Sequence, residues 1–312
     1  MLQIALIGAG NHCRSHHAPA LAKYAADHPG QLELAAVCDL QREKAEAFRE
    51  AFGFKAAYTD YEQMIEAERP EGCVCVIPIP HIASVAMDLL RRGMPTTVEK
   101  PMGATLDEVR ELLAVARETG TPNMVSVNRR FEPLTRRGVE WARIQGPLRY
   151  VRASILRHQR TEANFISGTA IHCIDALRDI AGEITDYQVR MHLGAPPWFS
   201  IGFRFESGAL GTLDVLPTDG SAEERYELFG EGYRVDARVG PSAQPRLRCW
   251  RAGNVVADVR PPVDEPEFVR VGAYGETQEF IQALSEGRPP WPSIEEVFPS
   301  VEIAYTIDPS KQ

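Results

Sequence analysis

At 312 residues, 44% of them hydrophobic and 25% charged, the chain has the composition of a globular protein and length enough for two domains. A formal net charge of −9 argues against a polyanion partner, so nucleic acid is not an expected ligand. No apolar run reaches the length of a membrane span, and the opening MLQIALIGAG lacks the parts of a secretory signal, so a cytoplasmic protein with no membrane partner is expected.

The first third alternates β-rich runs with helical patterns, which predicts strands over 3–7, 32–38, 73–77, 96–98 and 124–127. Asp60 with Gln63 and Thr105 with Glu108 have the spacing of capping boxes. Leu106, Val109, Leu112, Leu113 and Ala116 make one apolar helix face, which Gly120 ends. A doubly wound parallel sheet accommodates these elements, with its ligand crevice at the carboxyl ends of the strands. After about residue 128 the pattern changes. Helices are expected over 134–143 and 171–181, then strand-like segments with hairpin signals at Ser207-Gly208, Gly230-Glu231-Gly232 and Ala252-Gly253-Asn254, then helices over 273–286 and 294–305. The connections are too short for crossovers, so a mostly antiparallel open sheet in an α+β domain is predicted. The expected division is a Rossmann domain over 1–122 and an α+β domain for substrate binding and oligomerisation over 123–312.

Gly8-Ala9-Gly10-Asn11-His12-Cys13 follows an apolar strand and opens a helical pattern, the context of a pyrophosphate-binding turn. Gly8 permits the tight turn and Gly10 a close backbone approach, while Cys13 stands where a third glycine or alanine is usual. An ordinary Gly-rich strand-to-helix turn reads the same. Asp39 ends the second strand, where a carboxylate can accept from ribose hydroxyls and repel a 2′-phosphate, favouring NAD. Arg42 nearby keeps NADP open, and a helix cap is the alternative role for Asp39. The six cysteines show no C-x-x-C spacing, so no metal is expected, and Cys73 and Cys75 alternate with valines as buried strand residues. The arginine-rich stretch from Arg129 to Arg160 is read mainly as solvated or subunit-facing surface, the alternative being that one or two of its residues meet substrate or cofactor phosphate.

The glycine turn, Asp39, Glu99-Lys100-Pro101, Asn128 and Arg130-Phe131 together resemble the glucose-fructose oxidoreductase, inositol dehydrogenase and MocA family, with the Glu-Lys-Pro triplet the most specific part. The resemblance implies an NAD(P)-dependent oxidoreductase acting on a sugar, polyol or related hydroxy compound and working as a homodimer or homotetramer. It places Lys100 beside the nicotinamide and the reacting hydroxyl, where an ammonium stabilises developing negative charge. The expected cofactor set is Gly8, Gly10, Asn11, His12, Cys13, Asp39, Arg42, Pro78, Glu99, Lys100, Pro101 and Asn128.

Gly168-Thr169-Ala170-Ile171-His172 resembles the family's helix-entry motif, with His172 as the proton-exchanging group or a structural histidine. Gly168 stands where the family has an aspartate, and Asp175 is expected to orient His172 or the helix. Ile82 takes a position where the family often has histidine, with His81 one residue off. The substrate set is Lys100, His172, Arg157, His158, Asn164 and Trp198, the last as an apolar platform for a sugar ring. The missing aspartate keeps open a cofactor-binding sensor or scaffold without catalysis, and a redox-neutral enzyme that retains its NAD is a third reading.

Overall fold

The computed structural model describes residues 1–242 and 244–311. These residues form two compact units, the first made of Met1–Val127 with Ala273–Pro299, the second of Asn128–Gly272 with the residues from Ser300 onward. The expected division after residue 122 is corrected in two places. Asn123–Ser126 pairs in parallel with Thr96–Glu99 and so completes the first sheet. The segment from Ala273 returns to the first unit, where it packs against Gly72: a Cβ there would lie 2.8 Å from Leu284 and 3.3 Å from Phe280.

The first unit holds β1 (Leu2–Ile7), β2 (Leu32–Cys38), β3 (Ala56–Tyr58), β4 (Gly72–Cys75), β5 (Thr96–Glu99) and β6 (Asn123–Ser126), all parallel, in the order β3-β2-β1-β4-β5-β6. Its helices are α1 (Asn11–Ser15), α2 (His17–Asp27), α3 (Arg42–Phe52), α4 (Tyr61–Glu68), α5 (Ile79–Arg91) and α6 (Leu106–Thr119). Local chemistry sets these helix ends. The Asp60 carboxylate accepts from the Glu62 and Gln63 amides to start α4, and Thr105 Oγ1 accepts from the Glu108 amide to start α6. Gly120 ends α6 at φ 61°. Val109, Leu112, Leu113 and Ala116 are buried as their spacing predicts, whereas three-residue β3 is too short for any periodicity to announce.

The second unit opens with α7 (Pro133–Gln145), β7 (Leu148–Leu156) and α8 (Ile171–Ala181), then runs through β8 (Ile184–His192), β9 (Trp198–Phe205), β10 (Leu210–Leu216), β11 (Glu223–Gly230), β12 (Tyr233–Val239), β13 (Arg246–Arg251) and β14 (Asn254–Val259). Helices α9 (Glu267–Arg270), α10 (Ala273–Glu286) and α11 (Ile294–Ile307) follow; α10 belongs to the first unit and α11 passes from the first unit into the second. The sheet order is β14-β13-β12-β11-β7-β10-β9-β8; β7 and β10 pair in parallel, and the other neighbours are antiparallel. The three hairpins fall where the Gly-containing turns predict. Val151, Ala153 and Ile155 of β7 and Phe199, Ile201, Phe203 and Phe205 of β9 are buried on one face. The alternate residues on β11 and β12 carry charge, including a bidentate Arg225–Asp236 pair at 2.8 and 2.6 Å.

Glu132 caps α7, its carboxylate accepting from the Leu134 and Thr135 amides. Burial pushes this carboxyl up to about 7, against those hydrogen bonds, which favour the ionised form. The folded chain therefore keeps a proton that the unfolded chain releases. Its contribution is full below the ordinary glutamate pKa and is lost as pH rises through 7, a change of about 3 kcal/mol. Glu132→Gln keeps a capping oxygen but has no proton to lose. Urea midpoints measured from pH 4 to 8 are expected to decline less steeply across pH 5–7 in this variant than in the parent.

Candidate active site

Gly8 turns the chain at the end of β1 with φ 101°, and a Cβ there would lie 2.0 Å from the Val76 carbonyl oxygen, so no side chain fits. At Gly10 an added Cβ would meet nothing within 4 Å, and no side chain caps the start of α1. Open backbone at a helix start fits a dinucleotide pyrophosphate. Asn11 is exposed there, while Cys13 is buried and its thiol is pushed up by burial, as suits a packing residue. Helix α1 is only five residues long and stops at His16, beyond which the chain restarts as α2.

Asp39 ties together two backbone segments at the ends of β1 and β2. Its Oδ1 accepts from the Gln41 amide, turning the chain toward α3, while Oδ2 accepts from the Ala9 amide inside the glycine turn, each at 2.9 Å. Arg42 begins α3 and pairs with Glu46 at 3.4 Å. Pro78 is the exposed N-cap of α5; within that helix Ile82 is core and His81 is exposed.

Glu99 ends β5 and is the hub of a buried polar cluster. Its Oε1 lies 2.7 Å from His17 Nε2, 3.1 Å from His12 Nε2 and 2.9 Å from Ser126 Oγ. Ser126 Oγ is also 2.8 Å from Glu276 Oε1. Burial opposes ionisation of Glu99, yet hydrogen bonds and charge from His12 and His17 hold its carboxyl well below the usual range. The Lys100 amide donates to Glu99 Oε2 at 3.1 Å, so this cluster anchors the backbone that carries Lys100, and the Lys100–Pro101 peptide is cis. Sequence reasoning missed His17, Ser126 and Glu276. They are scattered over the chain and share no spacing that marks them as neighbours of Glu99.

Lys100 belongs to the first unit and His172 to the second. His172 lies near the start of α8, 7% exposed, directly after a π-helical turn over Ile166–Ala170. Such turns recur at functional sites. A Cβ on Gly168 would come within 3.3 Å of Asn164 Nδ2, so the Asn164 amide stands beside the place of the missing aspartate. Asp175 is committed to the helix: it takes a bidentate bond from Arg130 at 2.7 and 2.8 Å and a third from Ser300 Oγ at 2.8 Å.

Several nominated residues have structural partners. Asn128 donates to the Val271 carbonyl oxygen at 2.7 Å and accepts from Arg129. Arg157 and Arg129 clamp the buried Glu224 from two sides. Against the cost of burial, the two guanidinium groups bring this carboxyl down to about 2. Trp198 donates to Thr218 Oγ1 at 2.9 Å and alternates with the buried Phe199 and Ile201, which puts it on the sheet face opposite them. His158 is exposed, with Nδ1 3.2 Å from the Asp219 carbonyl oxygen.

Residues 2–128, which hold the glycine turn, Asp39 and Glu99-Lys100-Pro101, match the family described as "Oxidoreductase family, NAD-binding Rossmann fold". The Rossmann segment over residues 2–128 is that of the Gfo/Idh/MocA oxidoreductases. Among relatives of known name, the chain is 26% identical over 277 residues to D-apiose dehydrogenase of Paraburkholderia graminis, covering 83% of this chain and 72% of that one. Its fold is shared with a dehydrogenase from Chromobacterium violaceum, at TM-score 0.88 and 18% identity over 98% of this chain and 94% of that one. A levoglucosan dehydrogenase in complex with NADH and L-sorbose gives TM-score 0.86 at 17% identity, over 100% and 97% of the two chains.

Proposed function

We propose that this oxidoreductase transfers hydride between a nicotinamide dinucleotide and a CH–OH group of a sugar, polyol or related hydroxy compound. One observation carries the reading: the glycine turn, Asp39 and the Glu99-Lys100 segment lie at the carboxyl ends of β1, β2 and β5 within the matched segment. Gly8 and Gly10 would hold the pyrophosphate and Asp39 the adenosine ribose, and the bound dinucleotide supplies the hydride acceptor or donor. Lys100 stabilises the substrate oxygen as its proton leaves, and His172 exchanges that proton. Asn164 offers a neutral amide where the family aspartate is absent, and His158 extends the polar surface offered to the substrate.

Asp39 beside the glycine turn and the Arg42–Glu46 pair favour NAD over NADP. A panel of sugars and polyols run with both dinucleotides is expected to give turnover, with kcat/KM for NAD higher by about tenfold, or ~1.4 kcal/mol. Failure of every substrate, together with tight NADH binding by fluorescence titration, would favour the sensor reading that Gly168 motivates. The charged face carried by Arg225 and Asp236 fits contact with a second copy in a homodimer or homotetramer. The six cysteines are unbridged and buried, as suits a reducing cytoplasm, and no helix among the described residues is long and apolar enough to cross a membrane.

A further inference from the structure

We propose that His12, His17 and Glu99 form a binding site for a divalent transition metal of the zinc class, where sequence spacing led to the expectation of none. The site shares His12 and Glu99 with the residues expected around the dinucleotide, and its test reads metal binding, not turnover. Their ligand atoms converge: both Nε2 atoms contact the same carboxylate oxygen, at 3.1 and 2.7 Å, and all three atoms lie within 4.8 Å of one another. Tetrahedral zinc binds nitrogen and oxygen at about 2.0–2.2 Å and so needs ligand atoms about 3.3 Å apart. The two nitrogen–oxygen distances therefore have to lengthen by about 0.2–0.6 Å to match it. Two histidines and a glutamate are also a donor set that leaves a fourth position for water.

The surroundings add a second, separate argument. Histidine ligands to metals usually turn their other ring nitrogen to a carboxylate, which fixes the ring and the tautomer. Here His17 Nδ1 faces Glu276 Oε1 at 3.7 Å, while Nε2 points to the proposed metal position. Ser126 bridges Glu99 and Glu276, so two buried carboxylates meet at one hydroxyl that carries no charge. A dication is a fitting counter-charge for such a pair. His12, with its side chain 53% exposed, provides the entry path. Coordination through Nε2 places each ring proton on Nδ1, which for His17 faces Glu276, and it would tie α1 and α2 to the end of β5.

Tag-free, metal-free protein titrated with Co2+ should develop the visible ligand-field bands of low-coordinate cobalt, saturating at a single equivalent, and Zn2+ should bleach them. His12→Ala alters the half-exposed ligand, and circular dichroism verifies its fold; its affinity should fall by at least about tenfold. His81→Ala, an exposed histidine outside the cluster, should titrate like the parent. Absence of bands in the parent, an unchanged titration in His12→Ala, or an equal loss in His81→Ala would overturn the site.

Discussion

Lys100→Met should lower kcat by about a thousandfold on whichever sugar or polyol the parent turns over best. In the proposed mechanism the ammonium stabilises the substrate oxygen as it gains negative charge, and a methionine of similar length fills the space without that charge. The same proposal assigns dinucleotide binding to the glycine turn and Asp39, so the NADH dissociation constant, read by fluorescence, should stay within about threefold of the parent's. A fall in kcat without a loss of NADH affinity separates a chemical role from a structural one. Turnover at the parent rate would remove Lys100 from the mechanism, and with it the main reason to connect the Glu-Lys-Pro segment with chemistry.

Asp175→Asn should cost about 3–5 kcal/mol of stability, because it takes the carboxylate from an Arg130 that is 6% exposed. The amide that replaces it cannot return the bidentate charge-assisted geometry seen at 2.7 and 2.8 Å. Urea unfolding at pH 7 measures the loss. Arg130→Met combined with Asp175→Leu removes both charges and should recover most of it, since a buried ion pair is far costlier to break than to replace with packed apolar groups. If the double variant is as unstable as Asp175→Asn, the pair contributes more than mutual neutralisation of buried charge.

Local signals in the chain located most elements well. Leu32–Cys38, Ile171–Ala181 and Ala273–Glu286 have the bounds that periodicity and punctuation predict, and Asp60, Thr105 and Gly120 act as the caps their positions suggest. All of these depend on residues a few positions apart. The glycine turn and Glu99-Lys100-Pro101 were legible for a related reason: each is a contiguous segment whose backbone or side-chain chemistry follows from its place at a strand end. The parting of the two units was not. Whether Asn123–Ser126 completes the first sheet depends on a neighbouring strand, and whether Ala273–Glu286 returns to that unit depends on packing against residues as distant in sequence as Gly72.

The candidate site divides along the same line. Which residue types stand at the turn, at Asp39, at Lys100 and at His172 is written in the sequence, and so is the absence of an aspartate at Gly168. Tertiary structure alone decided that Arg157 is held by Glu224, that Asp175 is held by Arg130, and that Asn164 approaches Gly168. It alone gathered His12, His17, Ser126 and Glu276 around Glu99. Backbone propensity and capping act over one helical turn or one strand, so they can be read along the chain. Pairing of buried charges and polar groups is settled by which side chains the packed fold brings within hydrogen-bond reach, whatever their separation in sequence.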